Sequence, residues 1–231
     1  MTVAENFRQI QREIEDIAKK CGRDPAEITL VAVTKGHSLE HVMPAYEAGC
    51  RDFGENRVQE GLSKISHAPQ DLRWHLIGTL QKNKVRKVIG TFVLIHSVDS
   101  LDLAKKLSEC SQEKGIVTPI LLQANTSGEK AKHGLQPEEW KNNFEKVLRL
   151  PGILVKGLMT MAPLENDEGV IRRCFSNVRE LREDLQKIAG EGIKMAHLSM
   201  GMTHDYSIAI EEGATILRIG TAIFGERKTL L

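Results

Sequence analysis

The stretch Thr29-Leu-Val-Ala-Val-Thr-Lys35-Gly36 reads as a buried strand that stops at an amine. Lysine is almost never fully buried without a partner. At the mouth of a barrel it can lose its proton and attack a carbonyl carbon. Working outward, the same alternation of short apolar runs and amphipathic stretches continues along the chain. Candidate strands are Thr29–Lys35, Cys50–Asn56, Arg73–Gly78, Phe92–Val98, Pro119–Asn125, Leu154–Met159, Ala196–Met200 and Thr215–Ile219. Helical patterns fall between them, at His41–Ala48, Leu101–Lys114, Glu138–Leu148 and Val170–Ala189. A leading helix, Val3–Lys19, carries Ile10, Ile14 and Ile17 at helical spacing. Ser100 suits an N-cap and Pro137 a first helical turn. Strands separated by helices need parallel crossovers. The count is that of a (β/α)8 TIM barrel, with a doubly wound open sheet as the rival.

The bulk properties agree with one barrel domain over residues 1–231. Lys+Arg is 32 and Asp+Glu 31, so neither a nucleic-acid stripe nor an acidic tail is implied. The run Gln81-Lys-Asn-Lys-Val-Arg-Lys87 reads as a solvated helix face. Cys21, Cys50, Cys110 and Cys174 are scattered and form no CxxC pair, which suits a reducing cytoplasm. No apolar leader or membrane-length run is present in the sequence. A cytoplasmic monomer is expected, with no second domain after the last strand.

Barrel chemistry sits at the C-terminal ends of strands, and the polar residues cluster there. Lys35 closes strand one, Asn56 strand two, and Ser199 with Gly201 strand seven. Arg218, Gly220 and Thr221 close strand eight. Each has a plainer reading: a snorkelling lysine, or helix caps at Asn56, Ser199 and Thr221. Free N–H groups at helix starts are also how phosphates are held, and glycine lets the backbone approach an anion. The loops after strands seven and eight are the usual barrel phosphate site. A reactive amine with a phosphate cradle points to pyridoxal 5'-phosphate (PLP). His37 and His41 lie four apart but have no third ligand in a known motif, so no metal is expected. His75 and His197 read as core or supporting histidines. Walker A, GxGxxG and GxSxG patterns are absent from the sequence.

At this level of detail the chain resembles the YggS/PROSC family of PLP-binding proteins, the PLP homeostasis proteins. The resemblance is carried by Val31-Ala-Val-Thr-Lys35, Arg51-Asp-Phe-Gly-Glu-Asn56 and Trp74-His-Leu-Ile-Gly78. It continues through Ile95-His-Ser-Val-Asp-Ser100, Ser127-Gly-Glu with Lys132 and Gly134, and Gly157-Leu-Met-Thr160. It ends with Leu198-Ser-Met-Gly-Met202 and Arg218-Ile-Gly-Thr-Ala-Ile-Phe-Gly225. It implies a barrel like the N-terminal domain of alanine racemase, with PLP held as a Schiff base on Lys35. Ser199, Gly220 and Thr221 would then bind the phosphate, Arg218 would face the pyridine nitrogen, and Asn56 would lie beside the ring. One departure is clear: the family's Ser/Thr-Lys-Thr-Lys-Pro reads Thr34-Lys35-Gly36-His37-Ser38 here, without the second lysine and the proline. The resemblance implies PLP homeostasis without robust catalysis, with PLP-dependent apoenzymes as recipients. The alternatives are an amino-acid racemase-like enzyme, and a phosphate-binding barrel in which Lys35 is a general base.

Overall fold

Eight parallel strands close on themselves in chain order, each followed by a helix or helical turn, in a computed structural model that describes residues 1–129, 133–164 and 167–226. The strands are β1 (Thr29–Val33), β2 (Asp52–Glu55), β3 (Arg73–Leu76), β4 (Leu94–Val98), β5 (Thr118–Gln123), β6 (Ile153–Met159), β7 (His197–Ser199) and β8 (Ile216–Ile219). The seam joins the first strand to the last, with Val31 opposite Arg218 and Ala32 opposite Ile219. The closed (β/α)8 barrel replaces the open-sheet rival. Several predicted strands end earlier than their apolar runs. β1 stops at Val33, because Thr34, Lys35, Gly36 and His37 form a turn closed by His37 N–H to Thr34 C=O at 3.1 Å.

The helices follow from local chemistry. α1 (Val3–Lys20) begins with a reciprocal Thr2/Glu5 capping box, ends in Lys19 and Lys20, and buries Phe7, Ile10, Ile14 and Ala18. α2 (Leu39–Glu47) is capped by Ser38, and α3 (Val58–Ile65) follows β2. α4 (Val85–Val88) turns its basic residues to solvent, with Arg86 and Lys87 exposed. α5 (Leu101–Glu113) is capped by Ser100, and α6 (Pro137–Leu148) starts on Pro137, as read from sequence. α7 (Glu168–Ala189), α8 (Tyr206–Glu211) and the single turn α9 (Thr221–Phe224) complete the ring.

Two apolar layers result. The larger lies between sheet and helices and includes Trp140, Phe144 and Phe175. The smaller fills the barrel with Val31, Leu94, Leu121, Met159 and Ile216. Inward Val31 sets the strand's alternation, which carries Val33 and then Lys35 toward the mouth. Among the described residues no helix is long and apolar enough to cross a membrane. Lys132, one of the motif residues, lies outside the described residues.

Candidate functional site

The wall that carries Lys35 is built by charge. Lys35 itself is exposed, at the tip of the turn after β1. The two peptide groups that flank it are both gripped from α3. Lys64 Nζ donates to the Thr34 carbonyl at 2.7 Å, and Glu60 Oε1 accepts the Gly36 N–H at 2.6 Å. Lys64 and Glu60 are themselves an ion pair at 3.0 Å, one helical turn apart. Gly36 has φ +76°, a conformation that L side chains resist, so the turn needs glycine. Below it, buried Glu55 accepts from Lys64 Nζ and from the Thr34 hydroxyl. Burial pushes the Glu55 carboxyl up, while Lys64 and Thr34 hold it down; the net direction is upward. This support was invisible in the sequence, although Val58-Gln-Glu60 through Lys64 carries the i,i+4 pair that builds it.

The adjoining wall, on β8, is built from neutral hydrogen bonds. Arg218 on β8 is buried; it donates to Ser199 Oγ at 2.5 Å and to the Thr160 carbonyl at 2.9 Å. Burial pulls its guanidinium down to about 10, partly offset by Asp205, so it stays cationic at neutral pH. Ser199 is fully buried, and its Oγ also meets His96 Nδ1 at 2.8 Å. The serine hydroxyl is therefore engaged inside the barrel. Gly201 has φ +93°, and a side chain there would strike Ala209 and Leu217 at 2.7 and 2.8 Å. Its carbonyl takes the Arg218 N–H at 3.0 Å. Both residues thus hold Arg218, a role that neither the capping reading of Ser199 nor the anion-approach reading of Gly201 revealed.

Flanking these walls lie groups with unspent bonding capacity. Asn56 follows β2, and its Oδ1 is buried without a hydrogen-bond partner among the described residues. A buried acceptor left so costs about 1–3 kcal/mol, which a ligand donor would recover. Gly220 stands at the start of α9 with no side-chain cap, and Thr221 follows it, exposed. The first N–H groups of a helical turn have no acceptor within it, which is how anions are held at such ends. Gly220 packs against the β1 edge, since a Cβ on it would lie 3.1 Å from the Val33 carbonyl. The loop after β1 and the loop after β8 are therefore neighbours.

Other candidates fall elsewhere. His37 and His41 stack at 4.9 Å, and His41 Nε2 meets the Phe224 carbonyl at 3.0 Å. No cluster of three or more potential metal ligands occurs among the described residues. A cavity of about 510 Å³ opens at the other, N-terminal face, against Arg51, Asp52 and Arg73. Strand geometry assigns barrel chemistry to the C-terminal face instead.

A small barrel with a lysine and an arginine on adjoining strands at its mouth defines a class, and comparison with known proteins gives its relatives. The family model described as alanine racemase, N-terminal domain, matches residues 6–228. The pyridoxal phosphate homeostasis protein of Aquifex aeolicus is 43% identical over 230 residues, covering 99% of this chain and 100% of that one. Among solved structures, PipY of Synechococcus elongatus PCC7942, with PLP bound, aligns with a TM-score of 0.84 and 35% identity. That alignment covers 97% of this chain and 100% of PipY. Alanine racemase of Clostridium difficile 630 shares the fold at a TM-score of 0.76 and 18% identity, over 96% of this chain and 57% of the racemase. The chain belongs to the alanine racemase N-terminal domain family and, within it, to the pyridoxal phosphate homeostasis proteins.

Proposed function

We propose that this barrel, residues 1–231, binds PLP as a Schiff base on Lys35 and serves intracellular PLP homeostasis without robust catalysis. The observation that carries this reading is a mouth whose polar groups are reserved. The Lys35 turn is held from α3, and among the described residues Asn56 Oδ1 is buried without a hydrogen-bond partner and α9 has no side-chain cap. End-to-end alignment with PLP-bound PipY supports it. Bound PLP would supply an aldehyde for the amine and a phosphate for the backbone donors. Lys35 is the attachment point, and Gly220 with Thr221 receives the phosphate. Asn56 lies beside the ring, and Arg218 faces the pyridine nitrogen. Ser199 and Gly201 serve the same site by holding Arg218. On this reading the partners are PLP and the apoenzymes that need it, and one copy of the barrel in the cytoplasm suffices.

The same groups argue against turnover. A guanidinium that remains charged donates hydrogen bonds and does not yield a proton to the pyridine nitrogen, which leaves the ring a weaker electron sink. A racemase also needs a base on the opposite face. Tyr46 is bonded to Asp71 at 3.0 Å, and Tyr206 to Glu13 on α1 at 2.5 Å. Burial, with Glu13, pushes the Tyr206 phenol up to about 12.

The test begins with the absorption spectrum of purified protein, expected to be yellow. Borohydride should bleach the band and fix the adduct on Lys35, as read by mass spectrometry. Adducts spread over surface lysines would overturn the assignment. Thr221→Ala and Ser199→Ala should each weaken PLP retention by roughly 1.5–3 kcal/mol, the first by loss of a phosphate contact and the second by loosening Arg218. Unchanged affinity in both would place the phosphate elsewhere. Exchange of the α-proton of single L-amino acids at ~1 per second or faster would establish the racemase-like alternative.

A further inference from the structure

A continuous file of buried polar groups runs through the barrel from Arg218 to the opposite face. Ser199 Oγ meets His96 Nδ1 at 2.8 Å, His96 Nε2 meets His75 Nδ1 at 2.9 Å, and His75 Nε2 meets Asp52 Oδ1 at 3.1 Å. Ser199 and His96 are fully buried, His75 is 5% exposed and Asp52 8%. At the floor Arg73 clasps Asp52 with two bonds, Nε to Oδ1 at 2.8 Å and Nη2 to Oδ2 at 2.5 Å. A merely apolar barrel would be cheaper to build than one with two imidazoles meeting edge to face inside it, at 5.1 Å between ring centroids.

The chemistry of the two ends fixes the direction of the two terminal bonds. Arginine has no acceptor, so Arg218 must donate to Ser199 Oγ. An ionised carboxylate has no donor, so Asp52 must accept from His75 Nε2–H. Burial raises the Asp52 carboxyl, but hydrogen bonds from His75 and Arg73 outweigh it and hold the group below the ordinary value. Burial, with the His75, Arg218 and His197 charges, keeps His96 well below the ordinary imidazole value, so it carries one ring proton. A single proton on each ring gives one consistent set of links, running Arg218 to Ser199, Ser199 to His96, His96 to His75 and His75 to Asp52. Each has one donor and one acceptor, and no proton is left over.

We propose that Asp52, His75, His96 and Ser199 are positioning residues acting in series, in which a carboxylate at the barrel floor sets two imidazole tautomers and so locks the Arg218 guanidinium toward the pyridine nitrogen of PLP. The proposal rests on the reading that Arg218 faces that nitrogen. Its first consequence does not. In this arrangement Ser199 spends its proton on His96, so Oγ presents only lone pairs to Arg218. Without the Asp52 acceptor the file can reverse. His96 would then donate from Nδ1, Ser199 would turn its own proton away, and the guanidinium would lose its fixed seat.

Two measurements test this. In the ligand-free chain, long-range 1H–15N spectra of the imidazoles report which nitrogen is protonated. Both His75 and His96 should carry the proton on Nε2 alone; His96 protonated at Nδ1 would overturn the proposal. That result needs no PLP and is read apart from the functional assignment. With PLP added, His96→Leu should weaken retention roughly tenfold and shift the absorption band. His96→Gln, which keeps one acceptor and one donor on a planar group, should stay within about threefold of wild type. Asp52→Ala, remote from the mouth, should shift the band in the same sense as His96→Leu. Equal loss in both His96 variants, or an unshifted band in Asp52→Ala with PLP still held, would overturn it. Should His96→Leu fail to fold, Ser199→Ala cuts the same file by one atom and carries the same expectation. Wild-type protein that takes up no PLP would sink the functional reading and leave the tautomer result standing.

Discussion

The two walls of the mouth solve one problem by opposite means. The Lys35 turn is held by full charges, with Lys64, Glu55 and Glu60 within one cluster. Arg218 is held by uncharged acceptors, a serine oxygen and a backbone carbonyl. On the proposed reading, the difference follows from what each wall must present. A lysine that is to react as a free amine cannot have a carboxylate spent on it, so the anions grip its backbone and leave its side chain exposed. On that reading an arginine that is to act as a fixed cation must keep its charge undiluted, so its direct seat is neutral and the charge of Asp205 acts on it without a direct bond.

Substitutions can break this contrast. The largest effect is expected at Lys35→Ala, which should abolish covalent attachment while PLP still binds reversibly at the other wall. Mass spectrometry after borohydride and gel filtration before it separate the two. Next is Lys64→Ala, which strands the fully buried Glu55 carboxylate without its cation. Removing one member of a buried pair costs about 3–5 kcal/mol, to be read by chemical denaturation. A cost under about 1 kcal/mol would show that the cluster is not what holds the turn. Glu60→Gln is milder. It keeps an acceptor for Gly36 N–H but loses the charge facing Lys64, and about 1 kcal/mol of stability is expected.

The smallest effect concerns the neutral wall and its pH dependence. The Asp52 carboxyl is lowered in the folded chain, so its contribution is present above the unfolded carboxylate value of about 3.9 and is lost as pH falls through the folded one. Asp52→Asn should therefore be less stable than wild type near neutrality, with the gap closing in acid. A gap that is constant with pH would mean that the Asp52 charge adds nothing.

Much of this was legible in the sequence because the barrel repeats one rule. Apolar runs such as Leu30–Val33 and Leu94–Ile95 can only be strands covered on both faces, and their polar last residues mark the mouth. Lys35, Asn56, Arg218, Gly220 and Thr221 all fall at that mouth. Less legible were the roles of Ser199 and Gly201. A serine before a glycine looks like a cap, and only three-dimensional packing turns its oxygen to His96 and Arg218. His75 and His96 were opaque for the same reason. Each sits in an ordinary strand, and their contact depends on the register of β3 against β4, which no local pattern reveals. The short helices α8 and α9 were missed as elements, since six and four residues are too few for periodicity.

The seam between β1 and β8 has a consequence in time. Lys35 lies in the first sixth of the chain and Gly220 near its end, yet the two loops touch only when Thr29 through Ala32 pair with Ile216 through Ile219. A ribosome extends the chain from the other end, and such distant pairings close late. An unfinished polypeptide therefore carries the lysine without its partners. On the proposed reading, the cofactor can be captured only once synthesis has brought the seam together.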